Sequence, residues 1–270
     1  MGARLVRALP PGLGHGAAAA GGGLWFRFNA VQREYALDNY AAVLALDRSD
    51  PRVRRVARAA FQNYGRMLAD FVLLGSLSAH QLLRRVRFEG LEHVDAGLAT
   101  GRGVVVAMPH MGSWDVAGSA AGVRGYEVTT LADRFPGSLD EAVVASRRRF
   151  GLEVLPPDRA SLHLLREGLR SNRVVALVCD LPHGPGVEVE MFGRRLNMPS
   201  GPAALAQRHG CDLITAAIVR EGNGYAVRVD PRLEVAGLTR QGIMQSVARR
   251  FEVHIRAQPD QWFAFMPVFG

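Results

Sequence analysis

Val104-Val105-Val106-Ala107-Met108-Pro109-His110-Met111-Gly112-Ser113-Trp114-Asp115-Val116-Ala117-Gly118 is the stretch whose reading decides the fold. Apolar, β-branched residues up to Met108 read as a buried strand, Pro109 prevents its smooth continuation, and small residues resuming after Ser113 read as a helix. His110 falls in the loop between them. His110 and Asp115 stand five positions apart, about 140° around one continuous helix, so only an intervening turn brings carboxylate and imidazole together. The predicted loop supplies that turn. A neutral histidine whose ring N–H is held by a carboxylate has a fixed tautomer, and its other nitrogen can take a proton from a hydroxyl. That is the equipment of a general base. The same letters also fit Ser113 as a plain N-cap, Asp115 as an acid suited to the first helical turn, and His110 as an ordinary loop residue.

Outward from this unit the chain alternates strand-like and helix-like segments. Strands are expected at 104–108, 127–131, 154–155, 174–179, 187–191, 213–219 and 225–229, and helices from near Ser113, Ser138, Ala160, Gly201 and Thr239. Such alternation implies an α/β fold, a central mostly parallel mixed sheet flanked by helices. Before it, Val53, Val56, Ala57, Ala60, Phe61, Tyr64, Met67, Leu68, Phe71 and Val72 recur at spacings of three and four, one amphipathic helix opened by Asp50 and Pro51. Its other face carries Arg52, Arg54, Arg55 and Arg58, a pattern that suits packing on the protein and also an anionic membrane surface. Residues 1–26 have a basic start and an Ala/Gly run too short to span a bilayer. They read as a flexible or peripheral terminus, with Trp25 and Phe26 as candidates to enter a membrane interface. The expected organisation is a membrane-proximal helical segment over 1–80 and an α/β domain over 81–270.

The 33 basic residues outnumber 25 acidic ones, and every basic residue is Arg. The resulting charge of +8 attracts anionic lipid, phosphorylated substrate or nucleic acid alike. A nucleic-acid binder is disfavoured, since the arginines are dispersed without an aromatic stacking platform. Cys179 and Cys211 lie in apolar runs and read as free buried thiols, and the eight His form no His-Glu-x-x-His or His/Cys cluster, so no metal is expected.

Three further groups carry chemistry. A period of two over 187–191 puts Glu188 and Glu190 on one face, which also fits an edge strand with a solvated acidic side. Arg147-Arg148-Arg149 is the densest basic cluster, either a solvated helix face or, with Arg134, a grip for phosphate. Ser200-Gly201-Pro202 offers a helix start whose free N–H groups suit an anion or an oxyanion, and equally a plain cap.

His110 to Asp115, with Trp114 before the acid, resembles the His-x4-Asp/Glu motif of the lysophospholipid acyltransferase superfamily, in its lauroyl/myristoyl lipid A acyltransferase branch. Arg87-Phe88-Glu89-Gly90-Leu91-Glu92-His93, Gly101-Arg102-Gly103-Val104 and Pro259-Asp260-Gln261-Trp262-Phe263 extend the likeness. Gly186-Val187-Glu188-Val189-Glu190-Met191-Phe192-Gly193 and Met198-Pro199-Ser200-Gly201-Pro202 are most similar to phosphatidylinositol mannoside acyltransferases. The resemblance implies a peripheral enzyme on the cytoplasmic face of the inner membrane that moves a fatty acyl group from acyl-CoA or acyl-ACP to a glycolipid hydroxyl. A phosphatidylinositol mannoside is the preferred acceptor, lipid A precursor the alternative, and a non-catalytic lipid-binding relative the reading from another class. It further implies direct transfer without cofactor, consistent with the missing Gly-x-Ser-x-Gly nucleophile elbow. By the same likeness His110 is the base, Glu188 orients it or polarises the acceptor with Glu190 in reserve, and Arg147, Arg134, Trp114 and Ser200 bind substrate. Whether Asp115 or Glu188 touches His110 stays open at this stage.

Overall fold

The computed structural model describes residues 11–132 and 147–270. Three helices come first: α1 (Pro11–Phe28), α2 (Ala30–Leu44) and α3 (Pro51–Leu74). α3 is the amphipathic helix expected from sequence. Asp50 caps it by accepting from the Arg52 N–H at 2.8 Å, and Pro51 occupies the first turn, where its missing N–H costs nothing. The terminus differs from expectation. Residues 11–28 are helical although rich in glycine, because α1 lies antiparallel on α3 at a separation only glycine permits. A Cβ on Gly22 would stand 2.1 Å from the Phe61 carbonyl oxygen, and one on Gly65 would stand 2.2 Å from that of Ala18. Tertiary packing here overrides propensity.

The α/β part runs α4 (Ala79–Leu83), β1 (Val86–Glu89), α5 (Leu91–Leu98), β2 (Val104–Met108), α6 (Trp114–Val123), β3 (Val128–Leu131), β4 (Leu152–Leu155), α7 (Arg159–Arg170) and β5 (Val174–Val178). It continues through β6 (Gly186–Met191), β7 (Arg194–Pro199), α8 (Gly201–His209), β8 (Asp212–Glu221), β9 (Gly224–Val229) and α9 (Arg240–Ala257), ending in a 3₁₀ turn at Pro259–Gln261. Seven strands form one sheet in the order β1-β9-β8-β2-β5-β3-β4, every neighbouring pair parallel except β8 with β9. The expected mixed, mostly parallel sheet is therefore present. β6 and β7 form a separate antiparallel hairpin. The helix expected near Ser138 lies outside the described residues.

β2 is central and buried on both faces, which is why its run of valines reads as unbroken rather than alternating. Val105 and Ala107 face a core shared with α2, α3, α8 and α9, while Val104 and Val106 face a second core. The register of β2 with β5 positions the site. Met108 pairs with Val178, so the residues two beyond each, His110 and Asp180, emerge side by side at the carboxyl edge of the sheet. That edge is where open parallel sheets present their ligands.

Candidate active site

The loop after β2 is held on several sides. The Cys179 N–H donates to the Met108 carbonyl at 3.1 Å, fixing the start of the loop to β5. Gly112, at φ +60°, passes so close to β8 that a Cβ would meet the Ile218 carbonyl oxygen at 2.4 Å, so the turn requires glycine. The closing segment supplies the rest: Met111 bridges Trp262, and the Phe263 N–H donates to the His110 carbonyl at 2.8 Å.

His110 Nδ1 donates to Asp180 Oδ1 at 2.6 Å, and the His110 backbone N–H donates to Asp180 Oδ2 at 3.0 Å. The Trp262 indole N–H donates to the same Oδ2 at 2.6 Å. Asp180 is wholly buried with three N–H donors on its two oxygens, whereas the His110 side chain is 28% exposed. In the neutral ring, Nδ1 donating to Asp180 leaves Nε2 as the lone-pair nitrogen.

The carboxylate that touches His110 is thus neither Asp115 nor Glu188. Asp115 turns the other way and accepts from Arg147 Nε at 2.6 Å, both side chains buried. Burial pushes the Asp115 carboxyl above the usual range, and the Arg147 guanidinium works against that rise. Arg147 also lies over the Phe71 ring, 5.5 Å from its centroid. Glu188 and Glu190 sit on the solvent side of the β6–β7 hairpin, with Glu188 3.5 Å from Arg195, and neither borders the cavity beside His110. The period-of-two reading was sound, and its acidic face points to water. Arg134 lies outside the described residues. Trp114 stands edge-on to His110, with centroids 5.6 Å apart. Ser200 is buried at the start of α8, makes no side-chain cap, and is flanked by Pro199 and Gly201, which both line the cavity.

That cavity has a volume of about 560 Å³, within the range of ligand pockets, roughly 300–1,000 Å³. His110, Trp114, Asp115 and Arg147 border it together with Tyr64, Leu68 and Phe71 of α3. From there it descends beneath α6 between Val106, Val128, Leu152, Val174 and Ala176, and Tyr126 also lines it. Met108 and Val178 form one rung of the β2–β5 ladder and Val174 the rung four residues below, which is roughly 13 Å of parallel strand. One leaflet of bilayer hydrocarbon is roughly 15 Å deep. The cavity is therefore mainly apolar and runs along β2 with His110 on its wall, dimensions that would fit an aliphatic chain. Cys179 borders it too, but burial pushes its thiol well above the usual range and keeps it protonated. Among the described residues no group of three His, Cys, Asp or Glu side chains is placed to hold a metal ion.

Sequence reasoning missed Asp180. The available signal was its position, an acid just past the carboxyl end of a predicted strand, which counts only once β5 is known to neighbour β2.

The family model for bacterial lipid A biosynthesis acyltransferases matches residues 1–269. A phosphatidylinositol mannoside acyltransferase of Mycobacterium tuberculosis is 38% identical over 217 residues, covering 77% of this chain and 68% of the relative. A phosphatidylinositol mannoside acyltransferase of Mycolicibacterium smegmatis is 33% identical over 271 residues, covering 98% of this chain and 88% of the relative. The imidazole at the mouth of a chain-shaped apolar cavity and the match along almost the whole sequence agree: the chain is an acyltransferase of the bacterial lipid A biosynthesis acyltransferase family.

Proposed function

We propose that the protein transfers a fatty acyl group from an acyl thioester, acyl-CoA or acyl-ACP, to a hydroxyl of a phosphatidylinositol mannoside, with His110 as general base. The observation that carries this reading is the His110–Asp180 pair at the mouth of the apolar cavity. Nε2 takes the acceptor hydroxyl's proton as the oxygen attacks the thioester carbon, and Asp180 stabilises the imidazolium that forms. The proton then passes to the departing thiolate, leaving ester and free thiol. The Gly201 N–H, at the start of α8 where the helix borders the cavity, is the candidate donor for the tetrahedral oxyanion. Direct transfer fits the protonated state of the Cys179 thiol, the nearby side chain that would otherwise compete as nucleophile.

The reading includes a peripheral seat on the membrane. No helix among the described residues is long and apolar enough to cross one. Trp25 and Phe26, expected to enter the interface, instead pack inward: Trp25 against Phe61, Tyr64 and Phe265, Phe26 against Phe61. The outward side of α1 carries Leu13, Leu24 and Phe28 at 63%, 56% and 76% exposure, with Arg27 and Arg54 beside it. Since α1 lies along α3, and α3 borders the cavity, this apolar strip with its basic rim suits an anionic bilayer from which lipid reaches His110.

The test is CoA release from palmitoyl-CoA by wild type and His110→Ala, with inositol mannosides, with lipid A precursor and without acceptor. Release by wild type alone, and only with the mannosides, supports the reading; release only with lipid A precursor transfers the assignment to that acceptor. A His110→Ala protein as active as wild type would falsify the base assignment. Leu24→Asp/Phe28→Asp is expected to lose sedimentation with anionic vesicles.

A further inference from the structure

The closing segment ties the His110 loop through its backbone and also places one side-chain donor on Asp180. Trp262 is fully buried, and its indole N–H ends 2.6 Å from Asp180 Oδ2, the oxygen that does not face the imidazole ring. Everything about the segment fixes that indole. Gln261 pairs its side chain with β8 as a strand would, accepting from the Arg220 N–H at 2.5 Å and donating to the Arg220 carbonyl at 3.0 Å. The Tyr40 hydroxyl donates to the Trp262 carbonyl, and the rings of Tyr40, Phe192 and Phe269 surround the indole. Oδ2 has two donors, the indole at 2.6 Å and the His110 backbone N–H at 3.0 Å, and with the longer bond alone the carboxylate would be freer to turn about its Cβ–Cγ bond and shift the oxygen it presents to the ring.

We propose that Trp262 is a positioning residue for acyl transfer: by holding Asp180 Oδ2 it fixes the carboxylate that sets the His110 tautomer and ring orientation. The inference rests on the proposed function, with His110 as base. A neutral N–H is the suitable donor, because a cation there would draw charge away from the imidazolium, whereas an indole orients the carboxylate without neutralising it. The Trp262 side chain does not line the cavity, and its one side-chain hydrogen bond goes to Asp180, whereas its tie to the His110 loop is through backbone that Trp262→Phe keeps.

The experiment is a double-substitution cycle of Trp262→Phe and Asp180→Asn, read as kcat and KM for palmitoyl-CoA at saturating acceptor. Trp262→Phe is expected to lower kcat about tenfold, the order of one hydrogen bond to a charged group, with KM within twofold. In the Asp180→Asn background the same substitution is expected to change kcat by less than twofold. A tenfold loss that persists there, a parallel rise in KM, or an unchanged kcat for Trp262→Phe overturns the proposal. Should Trp262→Phe not fold, the indole N–H resonances of the wild type and Asp180→Asn decide. Three tryptophans give three signals, and that of Trp262 is expected downfield and slowly exchanging until Asp180 is changed. An unmoved signal sinks the idea. If wild type itself releases no CoA, the proposed function falls, and the indole signal still reports on the hydrogen bond.

Discussion

Arg147→Met removes the counter-charge of a carboxylate that is almost fully buried. Arg147 Nε and Asp115 Oδ1 are 2.6 Å apart, and both side chains are almost fully buried. Breaking a buried pair from one side costs about 3–5 kcal/mol, because the remaining charge keeps its desolvation penalty and loses its partner. At about 2–4 °C per kcal/mol for a chain of this size, the melting temperature should fall by roughly 6–20 °C. The loss depends on pH. Burial already raises the Asp115 carboxyl in the folded protein, and Arg147 limits that rise. Without Arg147 the folded carboxyl holds its proton to still higher pH, while the unfolded chain releases it near pH 4. Between those values the folded state binds the extra proton, so stability falls as pH rises through the window and levels off above it. The deficit of Arg147→Met should therefore be smallest near pH 4 and largest near neutrality, and Asp115→Leu in the same background should recover at least half of it. Urea unfolding of wild type, Arg147→Met and the double variant at pH 4 and pH 7.5 measures this. A deficit below about 1 kcal/mol, or one equal at both pH values, refutes the reasoning.

Ala176 pairs with Val106 midway down the cavity, so Ala176→Phe should block its lower part. Each methylene kept out of the apolar site costs about fourfold in kcat/KM, and the donor optimum should move to shorter acyl chains. An unshifted chain-length profile places the acyl chain elsewhere. Gly122→Ala puts a Cβ 1.7 Å from the Phe150 carbonyl oxygen and should cost about 3 kcal/mol, seen as a lower urea midpoint. Glu188→Gln should keep kcat within twofold, since its exposed side chain faces Arg195 and not the cavity; a hundredfold loss would return Glu188 to the mechanism.

The sheet was legible because its central strands bury both faces and announce themselves as apolar runs: Val104–Met108 and Val174–Val178 needed no context. β1, with Arg87 and Glu89 alternating outward, and β7, opening on Arg194 and Arg195, carried too much charge to stand out as strands. They are held by neighbours that periodicity does not see. α1 was hidden for a related reason, since glycine argues against a helix until the facing helix is known. His110 was legible as chemistry, and its partner was not. Five positions link His110 to Asp115, whereas seventy separate it from Asp180, and only the β2–β5 register brings those ends together. The assignment of Glu188 to His110 came from likeness to a segment, and likeness of sequence did not specify which way the hairpin faces.

The division of labour between the two aspartates follows from their partners. A carboxylate that must stabilise an imidazolium has to keep its charge available, and Asp115 bonded to a guanidinium has already spent that charge on Arg147. Asp180 accepts from a backbone N–H, an indole N–H and the imidazole itself, and among the described residues its only ion-pair partner is His110. On the proposed mechanism Asp180 would act as a carboxylate oriented by neutral donors and itself shielded from solvent, where such an arrangement acts most strongly on charge that develops during transfer. Arg147 holds Asp115 through its Nε, and Asp115 makes no bond to the His110 ring. The motif's histidine and its acid thus belong to two separate charge systems, joined by the loop and first helical turn that carry both.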